Sequence, residues 1–349
     1  MANALTQNGI FGELLNDPEV ARAFSADRML HHMLSFEIAW TEGLRKSGRV
    51  SGTGAAQALS ALAGFQPDMA ALGAGSERDG VPVPALVKAL RAGLSDESAA
   101  AIHTGATSQD VVDTALVLIL REVSDGLDQR LTEVLDALAD LRARFGGAEM
   151  MGRTRMQAAL PVPVSRRIDG WSAGLRTRKD ALSTLRLRVE KVQVGGPVGF
   201  RDDHLGEMAG HVAKALSLGN APVWHSDRSS LFDYGAWLAG VAGALGKLGQ
   251  DIALMAQQGV DEVVLARSGG SSAMPLKQNP VLAETLVTLA RYTTGQLGVL
   301  GQCLVHEQER SGAAWALEWM VLPDMCEATG TTLRHAMTLL GGIERLGRP

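Results

Sequence analysis

The sequence predicts an all-α protein: a bundle of long helices with a smaller N-terminal helical domain. Three observations carry this. Apolar residues recur at helical spacing almost throughout, as in VVDTALVLILREVSDGLDQRLTEVLDALADLRARF from Val111 to Phe145, where positions 112, 116, 119, 120, 123, 127, 131, 134, 138 and 141 form one stripe. Aromatic residues are only 4% of the 349 residues, so Leu, Ala and Val must fill the core, while alanines and 40 glycines let helices approach closely. Strand signals are weak, and only short runs such as VQVGG at 192–196 qualify.

Taken in order, residues 1–105 read as shorter helices and loops, with Gly and Pro concentrated between 64 and 84. Residues 106–340 carry five long segments. The first ends at Gly146-Gly147. The second starts near Pro161 and stops at Gly195-Gly196-Pro197. The third runs from about Arg228 to Val264. The fourth opens at Asn279-Pro280, with Asn279 as cap, Pro280 at the first helical position and Glu284 soon after. The fifth covers about Ser311 to Leu340, and 341–349 is a short tail. Helices near 30 residues, against about 11–12 in typical globular proteins, imply an elongated bundle. Such helices bury one another incompletely unless other chains join, so an obligate symmetric oligomer is expected.

The composition excludes several function classes. A net charge of −5 shows no basic face for nucleic acid. No stretch of about 20 residues is free of charge, so no transmembrane helix is expected. The N-terminus, MANALTQNGIFGELL, has no basic segment leading into an apolar run, so a cytoplasmic protein without signal peptide is expected. Cys303 and Cys326 form neither a metal spacing nor a disulfide framework.

Three polar islands interrupt the helical text. HTGATSQD, 103–110, heads the first long helix: Thr104, Thr107 and Ser108 supply hydroxyls and the helix start supplies free N–H groups, a seat suited to a carboxylate. Its plain reading is an N-cap. GRTRMQ, 152–157, leads into the second long helix, and Arg153 and Arg155 could clamp carboxylates bidentately. Its plain reading is a solvated pair, although Arg153 to Lys191 holds ten Lys/Arg against three Asp/Glu. GGSSAMPLKQNP, 269–280, joins two glycines that give backbone freedom to Ser271 and Ser272, the cation Lys277, and Asn279. A serine is a poor base in water; a dry site rich in N–H donors beside Lys277 lowers that cost. A mere connecting loop does not account for the order G-S-S-x-M-P-x-K-x-N-P. VGGPVG, 194–199, lacks the strand–turn–helix setting of a dinucleotide site. His225 and Arg228 precede the third helix and could touch a substrate, whereas His306, Glu307, Glu309 and Arg310 read as a solvated or inter-helix polar face.

The loop 269–280 resembles the signature loop of the fumarase/aspartase superfamily, and the other islands fall in the order and spacing of that family's remaining motifs. HTGATSQDVVDTALVLILR and WHSDRSSLFDYGAWLAGVAGALGKLGQDIALM are most similar to its branch that lactonises carboxymuconates, with adenylosuccinate lyase the nearest competitor. The resemblance covers nearly the whole chain. It implies a homotetramer whose active sites each gather the three islands from three subunits, acting on a small polycarboxylate through a carbanion stabilised as an aci-carboxylate, without metal or organic cofactor. Carried over by position, Ser271 is the base or acid of the loop, Lys277 and Asn279 bind a substrate carboxylate, Thr107 and Ser108 hold another, and Gln157 matches a site position; Ser272 and Met274 belong to the same loop. The implied reaction is attack of one carboxylate of 3-carboxy-cis,cis-muconate on its own double bond, with a proton delivered to the neighbouring carbon. A lyase releasing fumarate and a non-catalytic structural bundle are the alternatives.

Two departures stand out. Arg155 occupies a position where many members carry His, which argues against a fumarate-releasing lyase; an arginine that neutralises a carboxylate suffices for a lactonising reaction. His103 is then the remaining imidazole near a matched island. Many relatives are also about 100 residues longer, so the C-terminal helical domain of the family is expected to be absent or very short.

Overall fold

The computed structural model describes residues 9–266, 269–270, 274 and 279–348. The N-terminal part contains α1 (Gly12–Leu15), α2 (Pro18–Ala23), α3 (Ala26–Lys46), α4 (Gly52–Ala63), α5 (Met69–Asp79), α6 (Val83–Arg91) and α7 (Asp96–Ala99). The long helices follow: α8 (Ser108–Phe145), α9 (Val164–Val189), α11 (Ser229–Met255), α12 (Val281–Leu300) and α13 (Gly312–Gly341), with α10 (Asp203–Leu216) between α9 and α11. Helix starts follow capping chemistry. Ser25, Ser51, Asp68, Asp202 and Ser311 each accept a backbone N–H of the helix they open, satisfying donors that have no partner within the helix.

All ten stripe positions of α8 are buried. Its first turns are buried on every side, with Gln109, Asp110, Asp113 and Thr114 inside as well as Val111 to Leu120, because α8 runs through the middle of the bundle with α3, α9 and α13 packed on it. The small residues do the work expected of them on α11. A Cβ on Gly246 would stand 2.4 Å from Ala290 Cβ, and one on Gly249 would stand 2.5 Å from the Ala283 carbonyl oxygen, so α12 lies on α11 backbone to backbone. Cys303 and Cys326 are buried free thiols.

Three local expectations are corrected. GRTRMQ does not lead directly into a helix: β1 (Glu149–Thr154) and β2 (Gln157–Pro163) form an antiparallel hairpin, and α9 begins only at Val164. The hairpin turns on two residues, Arg155 (φ 48°) and Met156 (φ 66°), with Thr154 paired to Gln157. Such a turn normally announces itself by Asn-Gly or Asp-Gly, which this sequence lacks. Second, VQVGG makes no strand: Lys191 forms a single bridge to Gly219, and the segment crosses the head of α8. Third, the cap of α12 is Pro280, while Asn279 pairs with Gly269 in an isolated bridge. A second small sheet joins β3 (Val263–Leu265) to β4 (Ile343–Leu346), burying Ile343 and Leu346.

The alternation of long helices gives the bundle two ends. At the first lie the starts of α8, α11 and α13 and the finishes of α9 and α12. At the second lie the finishes of α8, α11 and α13, the hairpin, and the start of α12.

Candidate active site

At the first end, α8 starts on a capping arrangement that reaches well beyond the helix. The Asp110 carboxylate accepts from the N–H of Thr107 (3.1 Å), Gly195 (2.8 Å) and Gly196 (3.1 Å), and lies 3.1 Å from His225 Nε2. Asp110 is fully buried and four groups surround it, so it fixes the loop after α9 onto the α8 start. Gly195 is required there: a Cβ would meet the His225 ring at 2.8 Å and Val223 at 2.7 Å. Gln109 donates to the His225 carbonyl (2.9 Å) and accepts from Arg310 Nε (2.8 Å), while Arg310 Nη2 donates to Thr107 Oγ1 (3.2 Å). Arg310 thus brings a half-buried guanidinium to the hydroxyl and N–H groups of the α8 head. The head of α8, where the sequence leads one to expect an anion seat, thus has a cation beside it from a segment that reads, in sequence, as a solvated or inter-helix polar face.

Beneath this seat is a buried charge cluster. Arg228, 2% exposed, donates to Glu318 (2.8 and 2.5 Å) and to Asp113 (2.7 and 3.1 Å); Trp315 Nε1 donates to Asp113 (2.8 Å), and the guanidinium stacks over Trp224 at 4.8 Å. Burial raises the Glu318 carboxyl to about 7 against the pull of Arg228, whose own guanidinium is held charged by Asp113 and Glu318. Burial, and then Arg228, lowers the pKa of His306. His225 and Arg228 are both buried beneath the head of α8.

His103 stands at the same end, four residues ahead of Thr107, with its ring Nδ1 2.6 Å from Glu37. Ser108 is half-buried in the first turn of α8. Arg153, Arg155 and Gln157 lie at the second end, on the hairpin. Arg153 is engaged by the buried Glu262 at 2.5 Å, which also accepts the Met151 N–H at 2.8 Å. Arg155 is exposed on the turn and has no ion-pair partner among the described residues; Gln157 is exposed beside it. Left-handed backbone at two non-glycine residues is sparsely populated and is held here by the ladder on either side. Asn279 donates its side-chain N–H to the Gly270 carbonyl at 3.2 Å, which ties the two ends of the 269–280 loop together, also at the second end. Met274 is 52% exposed. Ser271, Ser272 and Lys277 lie outside the described residues. Among the described residues no group of three His, Cys, Asp or Glu side chains is arranged to hold a metal ion, and no helix is long and apolar enough to cross a membrane.

The chain therefore gathers its candidate residues at two poles. The 38 residues of α8, at about 1.5 Å each, separate Thr107 from the hairpin by about 57 Å. The first pole offers hydroxyls, helix N–H groups, an imidazole and Arg310; the second offers Arg155, Gln157 and Asn279.

A family model described as "Lyase" matches residues 16–295. The chain is 36% identical over 335 residues to the 3-carboxy-cis,cis-muconate cycloisomerase of Pseudomonas aeruginosa, covering 93% of this chain and 73% of that one. It is 30% identical to the nitrosuccinate lyase of Streptomyces davaonensis, over 97% of this chain and 75% of the relative. Among solved structures, the 3-carboxy-cis,cis-muconate lactonizing enzyme of Pseudomonas putida superposes with a TM-score of 0.89 at 32% identity, covering 96% of this chain and 77% of that one.

Proposed function

The chain belongs to the lyase family of the fumarase/aspartase superfamily, and from that premise we propose that it is a cycloisomerase converting 3-carboxy-cis,cis-muconate to the carboxymuconolactone. The observation that carries this reading is the alignment along 93% of the chain with the cycloisomerase of Pseudomonas aeruginosa. A carboxylate oxygen of the substrate attacks an olefinic carbon of the same molecule, and a C–O bond forms. The electron pair moves to the adjacent carbon, where the neighbouring carboxylate holds it as an aci-carboxylate. That carbon then takes a proton. One carboxylate charge is lost into the lactone, so one proton is consumed per turnover. The barrier lies in the transient extra negative charge, which fixed donors and cations stabilise more in the transition state than in the ground state.

Ser271 delivers the proton, with His103 as a second proton-transfer group. Lys277, Asn279, Ser272 and Met274 hold one side of the substrate from the loop. Thr107 and Ser108, joined by Arg310, seat a carboxylate at the head of α8. Arg155 and Gln157 face it from the hairpin, with Arg153 set behind them by Glu262. Two poles about 57 Å apart on one α8 meet only if neighbouring protomers run antiparallel, so the first pole of one chain adjoins the second pole of others. A homotetramer with sites shared between subunits has that symmetry. The reaction fits the breakdown of an aromatic acid in the cytoplasm.

The test is direct. Purified protein mixed with 3-carboxy-cis,cis-muconate should lose the conjugated-diene absorbance; turnover of adenylosuccinate or nitrosuccinate instead would overturn the assignment. Ser271→Ala should lower kcat by about 10²–10⁴-fold as a proton-transfer group, and an unchanged rate removes it from that role. Variants inactivated at Thr107 and at Ser271 should recover activity when mixed and reassembled. No recovery at any ratio would count against shared sites.

A further inference from the structure

The turn that presents His103 is gripped from behind by α3 and α6 at four successive residues. Thr41 Oγ1 donates to the Ala101 carbonyl (2.9 Å), Arg91 to the Ile102 carbonyl (2.5 Å) and Trp40 Nε1 to the Thr104 carbonyl (3.0 Å). The fourth hold differs in kind. It runs to the side chain of His103, and its partner is a carboxylate: Glu37 Oε1 lies 2.6 Å from His103 Nδ1. Glu37 is 0% exposed, and its Oε2 has no hydrogen-bond partner among the described residues. A buried carboxylate with one oxygen unpaired costs stability. If the only task were to hold the turn, a neutral group would serve, as Thr41 and Trp40 do on either side.

What a carboxylate adds is control of the imidazole. As a pure acceptor it requires the hydrogen on Nδ1, which leaves Nε2 as the working nitrogen, and its charge steadies the imidazolium when Nε2 takes a proton. The backbone serves the same end. His103 has φ 60°, a left-handed conformation that is costly for a residue with a side chain, and the turn closes through the Ala106 N–H to the His103 carbonyl (3.2 Å) over Gly105 (φ 87°). The ring is 15% exposed, with Nδ1 turned to the protein.

We propose that Glu37 is the positioning residue of this enzyme's imidazole: it locks His103 in the Nδ1–H tautomer and aims Nε2 at the substrate bound over the head of α8. The inference rests on the reading of His103 as a proton-transfer group. Glu37 itself touches no substrate.

A double-mutant cycle tests it. A glutamine at 37 keeps the volume, yet it can present either a carbonyl or an amide to Nδ1, so the tautomer is no longer set. Glu37→Gln should lower kcat by about 10–100-fold, a part of the 10²–10⁴-fold available to acid–base catalysis, with KM unchanged. His103→Gln should lower kcat at least as far, and adding Glu37→Gln to it should cost nothing more, because Glu37 acts only through the ring. If His103→Gln loses kcat while Glu37→Gln keeps it, or if the two losses multiply, the inference falls and the reading of His103 stands. If His103→Gln keeps kcat, the reading falls and the inference with it. A measurement on the unmutated tetramer guards against a variant that does not fold. Solid-state ¹⁵N spectra of histidine-labelled enzyme at pH 8, with His103 assigned by difference from His103→Gln, should show the neutral ring protonated at Nδ1. A ring protonated at Nε2 would overturn the proposal.

Discussion

Replacing Arg228 by Met isolates what the buried charge cluster contributes. Methionine fills much of the arginine volume but leaves two carboxylates, 0% and 1% exposed, without their cation. Among the described residues Asp113 then keeps only the Trp315 N–H, and Glu318 keeps only His306 Nε2 at 3.9 Å. Breaking a buried pair from one side costs about 3–5 kcal/mol. With an unfolding entropy of about 2.1 cal/mol/K per residue, the 349 residues give roughly 0.7 kcal/mol/K, so Tm should fall by about 4–7 °C. Calorimetry at one fixed protein concentration reads this, so that parent and variant are compared under the same conditions. The deficit should also depend on pH. Glu318 sits at about 7, above its ordinary 4.5, because burial outweighs Arg228. A carboxyl raised in the folded state binds more protons folded than unfolded, so stability is fullest below the ordinary value and is lost as pH climbs toward 7. Removing the guanidinium takes away the opposing pull, so the deficit should widen from pH 5 to pH 8. Adding Glu318→Gln to Arg228→Met should recover part of the loss. A single variant that melts within about 1 °C of the parent at pH 8 would refute the reasoning.

Two further outcomes follow from the geometry. Gly249→Ala places a methyl 2.5 Å from the Ala283 carbonyl oxygen; it should cost about 1–3 kcal/mol, seen as a lower denaturant midpoint, whereas Gly243→Ala, with open space on the same helix, should not. Arg310→Met removes the cation from the proposed carboxylate seat; a charge-assisted bond to a substrate carboxylate is about 1.5–3 kcal/mol, so kcat/KM should fall by about 10–150-fold, measured by steady-state loss of diene absorbance below the melting range, and Tm should fall too because the buried Gln109 loses its donor.

What could be read before the structure, and what could not, divides by range. The α8 stripe is local information: ten positions at one spacing, all buried. The seam between α11 and α12 was foreshadowed by composition, since Gly246 and Gly249 are what close approach needs. The head of α8 was legible as a polar island, but its partners were not. Asp110 is satisfied by Gly195, Gly196 and His225, and Thr107 by Arg310, and no periodicity ties residue 107 to 310. Arg310 passed as one charge among four because a polar run before a helix has an adequate surface explanation. The hairpin was missed for a different reason: its turn breaks the residue preference such turns obey, with Arg155 and Met156 in place of Asn and Gly. Local preference fails there because the strand pairing on either side holds the turn, at one of the places where chemistry is proposed.

The C-terminal strand has a consequence for how the protein is made. The Gly347 N–H is bonded to the Glu262 carbonyl and the Arg348 N–H to the Glu149 carbonyl, so the hairpin is moored by residues synthesised long after it. During translation α8 and the hairpin leave the ribosome well before their anchor exists. Until residues 343–348 emerge, the hairpin has the Glu262 carboxylate, which takes the Met151 N–H and Arg153, but not the bond that the Arg348 N–H makes to the Glu149 carbonyl.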